Sequence, residues 1–148
     1  MATADRKDPY GGFRFVVEIG ATRVGGFSQV SGLERETTFE DFREGGENSF
    51  THKLVTVTKY PALTLRRGIA DAVDLWQWHQ DVINGNVQRK QMAVILRDYG
   101  GEDRWRWVFE GAYPVKWSGP DLNASNSAVA VEAVEFAHQG MRRECRRG

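Results

Sequence analysis

The sequence lacks the features that define several large classes of protein. Cys145 is its single cysteine among 148 residues, so an intramolecular disulfide framework is excluded. The longest purely apolar run, Met92 to Leu96, is five residues long, whereas a membrane-spanning helix needs roughly 20. Residues 1–12 contain no apolar core of a secretory signal. We therefore expect a protein that is made in the cytoplasm without a signal peptide and that does not insert into a membrane.

The sequence also has no excess of charge of either sign. Lysine and arginine together number 20, as do aspartate and glutamate, so the formal net charge is zero. A freestanding nucleic-acid-binding domain normally carries a basic excess, and this class is therefore disfavoured. Because the net charge is zero, copies of the protein repel one another only weakly, and this permits them to associate. The length predicts one domain, residues 1–141, followed by a basic C-terminal tail, residues 142–148.

Residue patterns of catalytic or metal-binding sites are sparse. Glu135 and His138 have the spacing of a di-iron helical bundle, but that site needs a second copy of the pair on another helix. Their segment has the composition of a β-strand, in which the two side chains point to opposite sides. Cys145 has no structured base nearby to activate a thiol, and no phosphate-binding glycine loop is present. We predict that the protein is not an enzyme and has no catalytic residues, metal or cofactor.

Hydrophobic periodicity predicts a mainly β fold. Residues 13–19 alternate between apolar and polar positions, and several later segments have the same character. The expected architecture is an antiparallel β-barrel or sandwich of about seven or eight strands with one packed α-helix.

Helical periodicity occurs over residues 71–84. The predicted buried stripe contains Ala72, Leu75, Trp76, His79 and Ile83. Trp78 is then left at the flank of the helix. A broad buried helix face would pack it in the core, and the alternative is a contact with another chain.

The segment from Glu34 to Val57 does not fit a compact monomer. Its flanks, ERETTFEDF and SFTHKLVTV, have β-type composition, and two adjacent glycines near its centre allow a tight turn. We therefore predict a long hairpin. Phenylalanines stand among its charged residues, and neither a solvent loop nor a core strand accounts for both. The candidate contact residues are Phe39, Phe42, Arg43, Glu44, Gly45, Gly46, Glu47 and Phe50.

Seven short stretches, in order and at natural spacing, carry a family resemblance. They are DPYGGFRF, GGFSQVSGL, FREGGEN, YPALTLRRG, LWQW, YPVKWSGPDLNA and EAVEFAHQG, and they extend from Asp8 to Gly140. Together they resemble the tail-tube protein family of contractile phage tails and phage-derived contractile injection systems. Two features depart from the family pattern. Tyr113 precedes the proline where the family commonly has tryptophan, and the chain continues into RRECRR.

The resemblance implies a structural inner-tube subunit in a phage tail or phage tail-like particle. Members of the family form hexameric rings whose strands join across subunits, and the rings stack into a hollow tube. The resemblance also implies that the phenylalanine rings of the predicted hairpin are buried against neighbouring subunits. The implied partners are a contractile sheath, baseplate and tube-cap proteins, and protein cargo or DNA in the lumen. One alternative is a tube-initiating, terminating or adaptor ring of the same machine. An alternative from another class is a monomeric ligand-binding β-barrel.

Overall fold

The computed structural model describes residues 14–24, 27–42, 52–68, 75–125 and 130–145. These contain ten strands and one helix, so the predicted mainly β fold with a packed helix is confirmed. The strand number exceeds the predicted seven or eight because the predicted second strand contains two strands, Thr22–Val24 and Phe27–Ser31, and because Gly140–Cys145 was not predicted as a strand. The elements are β1 (Arg14–Ile19), β2 (Thr22–Val24), β3 (Phe27–Ser31), β4 (Glu36–Phe42), β5 (His52–Lys59), β6 (Leu63–Gly68), α1 (Leu75–Ile83), β7 (Lys90–Arg97), β8 (Asp103–Ser118), β9 (Val131–Ala137) and β10 (Gly140–Cys145).

Eight of the strands form one antiparallel sheet. Seven of them follow the order β2-β1-β7-β8-β9-β6-β3, and β10 also pairs with β8. The 16-residue strand β8 connects two parts of this path. Its first part pairs with β7 and β10, and its second part, from Tyr113 onward, pairs with β9. Gly111 lies at the transition with a φ of 61°. We call β2, β1, β7, β10 and the first part of β8 the first half-sheet, and the second part of β8 with β9, β6 and β3 the second half-sheet.

The two half-sheets face each other across one hydrophobic core. Val17, Met92 and Phe109 come from the first half-sheet, and Leu65 and Phe136 come from the second. All five are fully or almost fully buried. The alternation predicted for the first strand and for Leu63 and Leu65 is therefore confirmed, and the fold is an antiparallel sandwich.

The structure corrects the predicted orientation of the helix. Trp78 is 6% exposed and its Nε1 donates a hydrogen bond to the carbonyl oxygen of Gln88 at 2.9 Å, whereas Trp76 is 53% exposed. Leu75 and Trp78 are three positions apart and share the buried face, which turns Trp76 outward. The prediction that Trp76 lies on the buried stripe is therefore wrong, and Trp78 packs in the core, which is the first of its two predicted environments. Ile83, also predicted inward, is 63% exposed; the predicted start of the helix lies outside the described residues.

The structure also corrects the predicted C-terminal boundary. Gly140–Cys145 forms β10, which pairs with β8 from Glu110 back to Trp105. The Gln139 amide donates to the carbonyl oxygen of Glu110 at 2.8 Å, which continues the pairing from β9 into β10. Residues 142–145 therefore belong to the domain and are not a tail, because their backbone groups complete the edge of the first half-sheet. Residues 146–148 lie outside the described residues.

Gly32 fixes the exit of the chain from β3 and gives a testable prediction. Its φ is 91°, and a Cβ at this position would stand 2.1 Å from the carbonyl oxygen of Ala62. Gly32→Ala is expected to lower the free energy of unfolding by about 2–4 kcal/mol, because backbone strain and a clash with the main chain combine. Urea unfolding followed by tryptophan fluorescence measures this loss.

Gly20 provides the matched control for Gly32. It has a φ of 62°, but no atom lies within 4 Å of its virtual Cβ. Gly20→Ala should therefore lose only about 1–2 kcal/mol, the strain of the left-handed conformation alone. Equal losses for the two variants would contradict the account of the Gly32 contact.

Candidate assembly surfaces

Strands β4 and β5 form a two-stranded sheet of their own. We call residues 36–42 and 52–59 the hairpin arm. Phe39 lies opposite Val55 and Asp41 lies opposite Lys53, with a register shift between Thr37 and Phe39. The predicted hairpin is confirmed in its two strands. Its predicted tip, from Arg43 to Phe50, lies outside the described residues, as does the Phe42 side chain.

Apolar side chains on the hairpin arm are exposed to solvent. Phe39 is 54% exposed, and Leu54, Val55 and Val57 are between 51% and 76% exposed. Leu54 lies opposite Glu40 and projects from the other face of the arm than Phe39 and Val55. A lone two-stranded hairpin is at best marginally stable in water. The exposed side chains give the arm apolar surface on both faces. Exposed apolar surface of this kind is characteristic of an interaction site.

Contacts between its two strands hold the arm in register. The Thr37 and Thr58 hydroxyl oxygens lie 2.9 Å apart, and those of Thr38 and Thr56 lie 2.6 Å apart. The Lys53 Nζ lies 4.7 Å from the centre of the Phe39 ring. Cross-strand pairs of this kind contribute about 0.2–1 kcal/mol each. The arm is thus a formed element that displays Phe39 in a defined position.

The outer face of the first half-sheet carries a row of ion pairs that we call the ion-pair ladder. Glu18 on β1 and Arg106 on β8 approach to 2.8 Å although β7 lies between their strands. Their contact therefore spans β7 at Ala93 and Ile95, which are buried. The ladder consists of Arg23, Glu18, Arg106, Glu144, Arg142 and Glu110.

The ladder contains three cations and three anions, so its charges compensate one another. Burial acts to raise the pKa of Glu18, but hydrogen bonds and charge interactions with Arg106 and Arg23 outweigh it and hold that pKa below its usual value. Glu18 is consequently ionised at neutral pH.

A buried ion pair ties together the strands that carry the arm. Arg67 on β6 lies opposite Glu132 on β9, and its Nε donates to Oε1 of Glu132 at 2.6 Å. The Trp117 indole donates to the other carboxylate oxygen at 3.0 Å. The Arg67 guanidinium also lies over the Phe27 ring of β3, 5.3 Å from its centre. One polar cluster thus links all four strands of the second half-sheet.

The residues with di-iron spacing do not converge on a common point. Glu132 is engaged by Arg67 and Trp117, and Glu135 is on the opposite face of β9. The His138 ring packs against Phe109 with a centroid distance of 4.9 Å, and burial lowers the pKa of this histidine. Within the described ranges, no group of three or more His, Cys, Asp and Glu side chains could hold a metal ion.

Cys145 is exposed at the end of β10. The single helix in the described part of the chain is too short to cross a membrane.

A match to a protein-family profile shows the family of this chain. The profile described as T4-like virus tail tube protein gp19 matches residues 11–142, which include the arm and both half-sheets. The chain belongs to this tail tube protein family. The tail tube protein is a structural subunit of an inner tube and assembles into a phage tail or phage tail-like particle. Among curated proteins, no match was found.

Solved structures with the same fold include chains from a prophage baseplate and from a contractile injection system. The tail tube protein is 25% identical to a chain in the structure of the anti-feeding prophage baseplate, with a TM-score of 0.78 and coverage of 90% of this chain and 93% of that one. A chain in the sheath-tube complex of the PVC extracellular contractile injection system, in its extended state, is 23% identical; the TM-score is 0.81, and 89% and 88% are covered. Hcp1 from Flavobacterium johnsoniae is 14% identical, with a TM-score of 0.57 and 87% and 93% covered.

Two of the predicted contact residues lie in different environments. Phe39 is exposed on the arm, whereas Trp78 is in the core. Sequence reasoning missed Leu54, Val55 and Val57 as exposed apolar residues of the same arm. The run KLVTV predicted a strand. A strand pattern does not show whether the two faces of the strand are buried or exposed, so the exposure of these side chains could not be predicted.

Proposed function

We propose that the tail tube protein forms hexameric rings that stack into a hollow tube inside a contractile sheath, with the hairpin arm as the contact between subunits. The similar baseplate structure is six-fold symmetrised, and another similar chain occurs in a sheath-tube complex. These similarities favour a hexamer with sheath, baseplate and cap proteins as partners. The subunit is made in the cytoplasm and has no catalytic role. Its tube conducts protein cargo or DNA through a target envelope.

The single observation that carries this proposal is the exposed apolar surface of the arm. Complete burial of a Val, Leu or Phe side chain contributes about 1.5–3 kcal/mol. Because the four apolar arm residues are half to three quarters exposed, covering them would contribute on the order of 4–7 kcal/mol. Association of two free proteins costs about 4–15 kcal/mol. One arm contact is therefore marginal, and a closed ring with several contacts per subunit would assemble cooperatively.

The tip residues belong to the same proposed contact. Phe42 and Phe50 would extend its apolar surface, and the charged residues would set its register with the neighbouring subunit. Gly45 and Gly46 would form the turn. The proposed contact therefore comprises Phe39, Phe42, Arg43, Glu44, Gly45, Gly46, Glu47 and Phe50, without Trp78.

Unpaired strand edges support the joining of strands across subunits. Within the described ranges, β2, β3 and β10 each have a ladder on one side only. Exposed edges of this kind favour uncontrolled association unless another strand covers them. Pairing between identical copies would satisfy these backbone groups and close the ring.

Electron microscopy of the purified full chain, alone and with its sheath partner, tests this function. The expected result is rings with six-fold symmetry and stacked tubes. Compact single particles at every concentration would contradict it and favour a monomeric ligand-binding β-barrel. Single rings that never stack would favour a tube-initiating or terminating ring, an alternative supported by similar chains in cap and terminator structures, both with TM-scores of 0.81.

A further inference from the structure

A groove runs beside β10 at the base of the hairpin arm. Its volume is about 480 Å³, and we call it the β10 groove. Three apolar residues of its lining, Leu33, Trp107 and Met141, are partly buried and pack against the core. The full lining is Leu33, Arg35, Trp107, Met141, Arg142 and Arg143.

The charge of the β10 groove is positive. Arg142 is already paired with Glu110 and Glu144. Arg35 and Arg143, by contrast, form no ion pair with any described residue; the Arg143 guanidinium lies over the Trp105 ring, 4.5 Å from its centre. The groove therefore offers apolar surface beside two uncompensated cations, and its occupant should carry exposed apolar groups together with carboxylates.

We propose that the β10 groove receives the hairpin arm of a second copy of this chain. Phe39, Asp41, Lys53 and Val55 share one face of the arm, since Phe39 lies opposite Val55 and Asp41 lies opposite Lys53. The Lys53 Nζ lies over the Phe39 ring, and no ion pair joins it to Asp41 among the described residues. Phe39 and Val55 would contact Trp107 and Met141, and Asp41 would meet Arg143. This inference rests on the proposed function and adds to it the surface that accepts the arm.

The arm of the same subunit does not fill the groove. Its first strand begins at Glu36, directly after the groove residue Arg35. Phe39 nevertheless remains 54% exposed and Val55 76% exposed. The apolar face of the arm is thus open in one chain, and the three apolar side chains of the groove are only partly buried. A neighbouring copy can cover both surfaces.

A charge-swap experiment tests the contact. Arg143→Glu and Asp41→Arg are each expected to raise the concentration at which tubes form by at least about tenfold, because each variant opposes like charges at every contact. The double variant restores the opposite pairing and should return to within about threefold of wild type. Light scattering and electron microscopy measure assembly, and circular dichroism confirms that each variant is folded.

Arg66→Glu is the matched control, because Arg66 is exposed on the second half-sheet, lies opposite Ala133 and does not line the β10 groove. It should assemble as the wild type does. Tubes of Arg143→Glu at the wild-type concentration, or a double variant no better than the worse single variant, would overturn the proposed groove contact. A wild-type chain that forms neither rings nor tubes would instead refute the proposed function itself.

Photo-crosslinking locates the acceptor surface independently of charge. A benzophenone amino acid at position 39, incorporated into tubes and irradiated, should crosslink between subunits to the peptide that contains Met141 or to that containing Trp107. Mass spectrometry identifies the peptide. Crosslinks confined to peptides outside the groove would show that the arm is accepted elsewhere.

Discussion

Tubes are expected to be lost when Phe39 is replaced with aspartate, while the subunit remains folded. Phe39 is exposed in the single chain and is not part of the core cluster, so its removal leaves the sandwich intact. In the tube, the substitution removes about 1–2 kcal/mol of apolar burial per contact, because Phe39 is already half buried in the single chain, and it adds the desolvation of a carboxylate. A loss of about 3 kcal/mol per contact corresponds to a critical concentration on the order of a hundredfold higher.

Analytical ultracentrifugation and electron microscopy measure this effect, and thermal unfolding checks the fold. Val87→Asp is the control, because Val87 is also exposed, at 43%, but lies in the segment after the helix and not on the arm. It should assemble normally. Long tubes from Phe39→Asp at wild-type concentrations would mean that the arm does not carry the contact.

The second large effect concerns the buried ion pair between Arg67 and Glu132. Glu132→Gln is expected to lower the free energy of unfolding by about 3–5 kcal/mol, because the Arg67 charge stays buried without a carboxylate. The side chains of Arg67 and Glu132 are only 4% and 11% exposed, so solvent does not screen the loss. Urea unfolding followed by tryptophan fluorescence gives the free energy.

A double variant separates charge from shape at this position. Arg67→Met with Glu132→Gln removes both charges, while the glutamine oxygen can still accept the Trp117 hydrogen bond. The double variant should therefore be more stable than Glu132→Gln alone. Arg104→Gln, which breaks the more exposed pair with Asp98, should lose less than about 1 kcal/mol. If Glu132→Gln lowers the free energy of unfolding by no more than Arg104→Gln does, burial of the Arg67–Glu132 pair has no energetic consequence.

Sequence patterns predicted those strands in which the alternating apolar residues are also the buried residues. Val17 and Leu65 are inward as expected, since each strand has one face on the core. The buried face of the helix could not be predicted from the sequence pattern, because a helical stripe that contains Leu75 can include either Trp76 or Trp78. Packing selected Trp78, whose indole nitrogen reaches the Gln88 carbonyl. The strand at Arg142–Cys145 was missed because its arginines suggest a solvated segment, whereas cross-strand partners such as Glu110 compensate Arg142.

The candidate contact surface was predicted in part. Phenylalanine in a charged hairpin indicated a surface that needs a partner, and the exposure of Phe39 agrees with that interpretation. The β10 groove could not be predicted, because its lining joins Leu33 and Arg35 with residues more than 70 positions away in sequence. Such a surface arises only when β10 is placed beside β8.

Hydrogen exchange of the arm amides, measured in assembled tubes and in unassembled Phe39→Asp subunits, tests the central claim most directly. The claim is that the hairpin arm is covered only by other copies of the chain. Amides of β4 and β5 should exchange rapidly in the subunit and be strongly protected in the tube, while those of β7 are protected in both. Equal protection of β4 and β5 in the two states would contradict the claim.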